Sequence, residues 1–284
     1  MQKFTTVDSI RHHLAPLRTD RSTIALVPTM GALHRGHVAL VTAAREHADI
    51  VVLSIFVNPL QFLPEEDLAR YPRPLDHDRA IADENGVDIL FVPRVDEMYH
   101  GATETRVVPG AIAGRWEGAH RPGHFEGVLT VVAKLLNIVQ PHIAVFGQKD
   151  IQQVTLVRRM VADLDVPVAI RTVPTVREAD GLALSSRNVF LSAADRIAAL
   201  TIPHALDAVR ARWTEGERHG PVLERVAAGV LARTSGVVPD YIAVVDPDRL
   251  APVEHAGSGT VVAVAARVGS TRLIDNVILG EDPG

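Results

Sequence analysis

The 284-residue chain contains no cysteine. Disulfides, thiolate metal sites and cysteine nucleophiles are therefore excluded. Aromatic residues make up only 4%, so the core must rest on Ala, Val, Leu and Ile. Basic residues are not in excess: 29 Lys and Arg stand against 34 Asp and Glu, a net charge of −5. Such a balance offers no basic surface for nucleic acid or membrane. No apolar run reaches the roughly 18 residues of a membrane span; the nearest stretch, residues 128–139, is interrupted by Lys134. The first 20 residues carry charges throughout, unlike a signal peptide. The common phosphate-cradling signatures, GxGxxG after a strand and GxxxxGK[ST], are missing too. The expectation is a soluble, cytoplasmic protein whose 47% hydrophobic content fills a sizeable core in one or two domains.

What is present alternates. Apolar, β-branched runs at 24–27, 50–57, 88–92, 142–146 and 167–173 read as buried parallel strands. Helical patterns lie between them. Over 126–139, Val128, Val131, Val132, Leu135, Leu136 and Val139 fall on one wide face. Residues 150–164 repeat the pattern with Val154, Val157, Val161 and Leu164. Strand and helix in alternation predict an α/β fold with a doubly wound parallel sheet over residues 1–175. Residues 176–284 change character. A helix at 192–216, capped by Ser192 and kinked or split by Pro203, precedes another at 221–234. Strand-like runs at 240–245, 260–268 and 271–277 then close the chain, which predicts a smaller α+β domain. The segment 58–74 is long for a loop and carries Pro59, Pro64, Pro72 and Pro74. Long ordered loops in α/β proteins tend to be functional.

The first strand runs into PTMGALHRGH, residues 28–37. The ends of α/β strands are where ligand crevices form. A helix predicted over 37–48 would place His37 in its first turn, where unpaired N–H groups suit an anion. Imidazoles at that point can donate to phosphate oxygens. The residues alone leave three readings of His34 and His37 open: an exposed or loop-packing pair, a phosphate grip, or a zinc site lacking an obvious third ligand.

The same ten residues resemble the HIGH-type motif of adenylate-forming nucleotidyltransferases, in the form found in the pantoate–β-alanine ligase family. Further stretches match that family in order: SIFVNPLQF at 54–62, YPR at 71–73, RPGHFEGVLTVVAKLLNIVQP at 121–141, FGQKDIQQ at 146–153, VREADGLALSSRN at 176–188 and GSTRLIDN at 269–276. The resemblance covers nearly the whole chain. It implies a Rossmann-like N-terminal domain, a C-terminal lid, a homodimer, and the substrates ATP, pantoate and β-alanine, with Mg²⁺ accompanying ATP. Pantoate's carboxylate would attack the α-phosphorus, and the amine of β-alanine would then attack the acyl adenylate.

Residue roles follow from the resemblance. His34, His37, Lys149 and Arg187 would be catalytic contacts to the phosphates, with Ser185 and Ser186. Met30, Gly147 and Asp150 would help hold ATP, and Val176 and Leu184 would border the adenine. Gln61 and Gln153 match the glutamines that hold pantoate, and Asn58 a polar residue near the β-alanine amine. Pro28, Met30, Phe56, Val131, Val132 and Leu135 would wall the gem-dimethyl group, or serve as plain core. Glu117 and Arg121 match a rim element that is as readily a surface ion pair, and Tyr71 a lid or substrate edge. Departures from the family pattern are Gln148 for Glu, Ile151 for Tyr, Leu184 for Met, and His77 within an acidic stretch. The last leaves two expectations for the metal: Asp76 or Asp78 as its carboxylate, or ATP phosphates and water alone. Two rivals remain at this point: another HIGH-type nucleotidyltransferase, and a nonenzymatic nucleotide sensor on the same fold.

Overall fold

The computed structural model describes residues 1–62, 68–69, 71–101 and 103–281. Pro64 of the proline-bearing loop and residues 282–284 of the tail lie outside them. The chain forms two compact units. The first comprises Met1–Gly110, Arg121–Gly147 and Leu156–Val173, and the second Ala111–His120, Gln148–Thr155 and Pro174–Gly284.

In chain order the elements up to the last strand of the first unit are β1 (Gln2–Phe4), α1 (Val7–Thr19), β2 (Ile24–Thr29), α2 (Arg35–Arg45), β3 (Ile50–Ile55), α3 (Leu75–Glu84), β4 (Ile89–Phe91), α4 (Val95–Met98), α5 (Glu117–His120), α6 (His124–Val139), β5 (Ile143–Gly147), α7 (Ile151–Asp163) and β6 (Ala169–Val173). The six strands make one parallel sheet ordered β1-β4-β3-β2-β5-β6. This is the expected Rossmann-like architecture. Leu26 of β2 pairs with Val52 on one side and Ala144 on the other. From β2 the order runs through β3 and β4 one way and through β5 and β6 the other. The β2/β5 border is thus a topological switch point, where such sheets open a crevice. Ile24 to Val27 are fully buried, as a central strand covered on both faces requires. On one face Leu40, Val41 and Ala44 of α2 pack on Val27, Val51 and Leu53.

The N-terminal pair β1 and α1 has no counterpart in the sequence reading. β1 is an edge strand of three residues, too short for a periodicity to register.

The second unit continues with α8 (Ala193–Ala199), α9 (Thr201–Thr214), α10 (Gly220–Leu231) and the antiparallel sheet β7 (Val237–Val245), β8 (Val261–Val268) and β9 (Thr271–Ile278). The helix expected at 192–216 is split in two. Ser192 caps α8 by accepting the N–H of Asp195, and Pro203 sits in the first turn of α9, where a missing N–H costs nothing. Side chains of the sheet alternate. Val244, Val262 and Val264 face the helical core with Leu206, Val209 and Leu223. Ala243, Val245, Val261 and Ala263 face Ile112, Trp116 and Ile151. That second face draws 111–120 and 148–155 into this unit, although in sequence they precede residue 175. Trp116 Nε1 donates to the carbonyl of Leu250 at 2.8 Å, fixing the first of these segments.

Candidate functional site

The loop after β2 is held by side chains. Thr29 Oγ1 donates to Ser54 O and accepts the N–H of Gly31. Gly31 has φ +86°, and a Cβ there would lie 2.9 Å from Asp78 Oδ2 and 3.0 Å from Ile55; only glycine fits. Ala32 also takes a left-handed φ of +51°. Asp78, in the first turn of α3 and 1% exposed, accepts the N–H of Ala32 on Oδ2 at 2.9 Å and of Leu33 on Oδ1 at 2.7 Å.

His34 is the N-cap of α2, and His37 falls at its third residue. The helix therefore starts two residues before the predicted position. The imidazoles cap reciprocally. Gly36 N–H donates to His34 Nδ1 at 3.1 Å, and His34 N–H donates to His37 Nδ1 at 3.2 Å. This is the Ser-x-x-Glu capping box rebuilt with two histidines. The rings lie 4.1 Å apart between centroids. Since each Nδ1 accepts, each neutral ring carries its proton on Nε2 and is a donor there.

This geometry corrects one expectation. The main-chain N–H groups of Gly31, Ala32, Leu33, His34, Gly36, His37 and Val38 all donate to acceptors within the loop, the helix or Asp78. The helix start is not an open amide cradle for an anion. Asp78 is committed to the loop: each of its oxygens accepts a main-chain N–H, and the side chain is buried. Asp76 and His77 are exposed on the same helix turn.

Beside this loop lies a polar cluster seated on α6. Asn58 is 1% exposed; its Nδ2 donates to Gln61 Oε1 and to the carbonyl of Gly127, each at 3.0 Å. Its Oδ1 accepts from Tyr99 Oη at 2.7 Å and from Leu60 N–H at 3.3 Å. All four hydrogen-bonding positions of the Asn58 amide are thus spent inside the protein, which makes it a support for Gln61 and not the expected contact to an amine. Gln61, its oxygen engaged by Asn58, turns Nε2 toward Met30 Sδ at 3.1 Å and so presents a donor. The carbonyl of Gln61 is held by His124 Nδ1 at 2.8 Å and Arg121 Nη2 at 3.4 Å, with Arg121 Nη1 donating to His124 Nε2. Burial pushes the Tyr99 phenol up from its usual range, which keeps it a donor to Asn58.

Gly127 permits this arrangement. A Cβ there would meet Leu60 O at 2.2 Å. Gly127→Ala is expected to cost about 3 kcal/mol, since backbone cannot yield as a side chain does, and to lower Tm by about 5–10 °C. Thermal unfolding followed by circular dichroism measures it; an unchanged Tm would mean that the Leu60 turn moves without cost.

Met30 and Phe56 line a cavity of about 870 Å³ with Val57, Leu75 and Tyr99. Phe56, Val131, Val132 and Leu135 are buried, and Pro28 and Met30 half-buried. Tyr71 stacks edge-on to Phe62.

The remaining predicted residues lie in the second unit, apart from Gly147 at the end of β5. Lys149 and Asp150 occupy a 3-10 turn, Gln148–Asp150, and Gln153 the first turn of α7. Lys149 and Gln153 are half-buried and Asp150 is exposed. Residues 176–184 form a tight hairpin: Leu184 N–H donates to Val176 O and Glu178 N–H to Leu182 O, and Arg177 pairs with Ala183. It delivers Ser185, whose Oγ accepts the N–H of Arg187 and caps the 3-10 turn Ser186–Phe190. Glu117 is buried and ion-paired with Arg272 at 2.7 Å, and Arg272 in turn with Asp240 at 2.6 Å.

Sequence reasoning did not single out Tyr99, His124 or Asn276. His124 and Asn276 stood inside quoted motifs, RPGHFEG and GSTRLIDN. For Asn276 the available signal was a polar side chain inside the apolar run LIDNVIL, because a polar group that such a run buries keeps a specific partner.

A sequence profile of the family described as Pantoate-beta-alanine ligase matches residues 2–278. Pantothenate synthetase of Agrobacterium fabrum is 52% identical over 283 residues, which cover 99% of this chain and 97% of that protein. The crystal structure of pantothenate synthetase from Thermus thermophilus is similar with TM-score 0.93 at 49% identity, over 98% of this chain and 99% of the other. The pantoate-beta-alanine ligase of Francisella tularensis, crystallised with beta-gamma ATP and beta-alanine, has TM-score 0.80 and 33% identity over the full length of both chains. With the profile spanning almost every residue and relatives of this identity aligned end to end, the chain belongs to the pantoate–β-alanine ligase family.

Proposed function

We propose that the chain condenses pantoate with β-alanine at the expense of ATP through a pantoyl adenylate. The carrying observation is the reciprocal histidine cap at the switch point of the sheet, beside a glutamine whose amide is fixed as a donor. A carboxylate resists attack by an amine because its leaving group would be oxide. In the first step a pantoate oxygen bonds to the α-phosphorus and the bond to pyrophosphate breaks. In the second the neutral amine adds to the acyl carbon, the acyl–oxygen bond breaks, AMP departs and the amine sheds a proton. The substrate is itself the nucleophile, so no serine or cysteine is required. The protein supplies positioning and charge stabilisation.

The roles proposed in the first unit are phosphate donation by His34 and His37 and donation to pantoate by Gln61 Nε2. Met30, Phe56, Val131 and Val132 form the apolar wall. In the second unit Lys149, Ser185, Ser186 and Arg187 grip phosphates, Asp150 the ribose, Val176 and Leu184 the adenine, and Gln153 pantoate. Mg²⁺ is proposed to enter with ATP and to neutralise phosphate charge there. Among the described residues no group of three or more His, Asp or Glu is placed to hold a metal. The donor set proposed is phosphate oxygens and water, with exposed Asp76 as the accompanying carboxylate. A cytoplasmic homodimer completes the proposal; light scattering tests the dimer. Among the described residues no helix is long and apolar enough to cross a membrane.

The test is pyrophosphate and AMP release from ATP, Mg²⁺ and pantoate, with and without β-alanine. Sustained AMP and pantothenate formation that requires β-alanine is expected. Pyrophosphate release with pantoate but no turnover on adding β-alanine would reopen the identity of the amine. No response to pantoate would overturn the proposal.

A further inference from the structure

GSTRLIDN, residues 269–276, matches no substrate role proposed above, yet its last two residues are among the most buried polar groups of the chain. Asn276 is 1% exposed and Asp275 3% exposed. Asn276 Nδ2 donates to the carbonyls of Gln148 at 2.9 Å and Lys149 at 3.0 Å, and its Oδ1 accepts from Gln148 Nε2 at 3.2 Å. Asn276 N–H donates to Asp275 Oδ1 at 2.7 Å. Asp275 receives a two-pronged grip from Arg177, Nη1 to Oδ2 at 2.6 Å and Nη2 to Oδ1 at 3.0 Å. Arg177 Nη1 also donates to Gly181 O at 3.1 Å, inside the hairpin that leads to Ser185.

We infer that Asn276, backed by Asp275 and Arg177, is a positioning residue that fixes the main chain of the Lys149 turn and couples it to the hairpin carrying Ser185–Arg187. The inference rests on the proposed contact of Lys149 with ATP phosphates. The chemistry of the position supports it. Two carbonyl oxygens must be met by one side chain with two donors, and a primary amide supplies both from a single nitrogen. A carboxylate of the same shape would set an anion against two carbonyls. The lysine itself is a point charge on a flexible stem, so the direction in which it enters the site is set by its backbone, and that backbone is what Asn276 holds. The bidentate Arg177–Asp275 pair fixes the β9 segment from which Asn276 projects, as two parallel bonds restrain rotation where one does not. Gln148 takes part specifically as an amide. Its Nε2 donates to Asn276 Oδ1, which an ionised glutamate could not do.

The experiment is a double-mutant cycle on the pantoate-dependent release of pyrophosphate, using full-length Asn276→Ala, Lys149→Ala and the combined variant. Asn276→Ala is expected to lower kcat/KM for ATP about 10- to 100-fold, the scale of a misplaced catalytic group. In the Lys149→Ala background the same change is expected to have a much smaller effect, because the part of the loss that runs through the lysine is already gone. The second half-reaction, from supplied pantoyl adenylate and β-alanine, is expected to lose less than the first, because it needs no grip on the departing pyrophosphate. A general loss of folded protein would depress both halves alike and add to the lysine effect. Equal losses in both backgrounds would overturn the inference while leaving the role of Lys149 intact. A fully active Lys149→Ala would overturn that role and the inference with it. Should Asn276→Ala not fold, Asp275→Asn, which keeps the shape and weakens the Arg177 grip, goes through the same cycle. A loss that shrinks in the Lys149→Ala background supports the inference, and an equal loss in both overturns it.

Discussion

His34→Ala is expected to slow pantothenate formation about 100-fold or more, the usual loss when a donor to developing charge is removed. The same change strips α2 of its cap and costs about 1 kcal/mol of stability. The two effects are separable because the cap uses Nδ1 and the proposed phosphate donation uses Nε2. Asparagine is among the best N-caps but has no group at the Nε2 position. His34→Asn should therefore recover the melting temperature of the parent protein while remaining as slow as His34→Ala. A His34→Asn enzyme with near-parental turnover would show that the imidazole is a cap and nothing more. Steady-state rates at saturating pantoate and β-alanine, paired with thermal unfolding, give both numbers from one preparation.

Asp78→Ala is expected to have the largest effect on stability and activity together. It leaves the N–H groups of Ala32 and Leu33 without their acceptor, each worth about 1–3 kcal/mol when left unsatisfied in a buried place. It also releases Ala32 from a left-handed conformation that costs roughly 1–2 kcal/mol to hold. The loop that precedes His34 should then relax, with a rate loss of about 100-fold from displaced groups. Asp76→Ala, on the exposed side of the same helix turn, is the control. If Asp76 accompanies the cation, its variant loses activity modestly and regains it as Mg²⁺ is raised. Asp78→Ala and the isosteric Asp78→Asn are expected to stay slow at every Mg²⁺ concentration. Recovery of Asp78→Asn with added Mg²⁺ would return that carboxylate to the metal.

The sequence by itself determined the fold class, the strands β2 to β6 and the long helices, because central strands and wide apolar helix faces are local patterns that burial enforces over many residues. It also determined the family, through ordered motifs spanning the chain. It marked Pro203 as a breaker, and the helix breaks just before it. Other features were decided only by the tertiary structure. Asp78 sits 45 and 46 residues from the amides it binds, and the family resemblance points to it only as a metal ligand. The resemblance assigns Asn58 to substrate, whereas its amide meets Tyr99, Leu60, Gly127 and Gln61. The sequence suggests an anion cradle at the start of α2, whereas the histidines and Asp78 fill it. In each case the type of residue was legible and its partner was not. A hydrogen-bonding group declares its capacity in sequence, but which capacity is already spent depends on elements that only folding brings within hydrogen-bond reach. The same reason hid Asn276, whose amide reaches back 127 and 128 residues to the turn of Lys149.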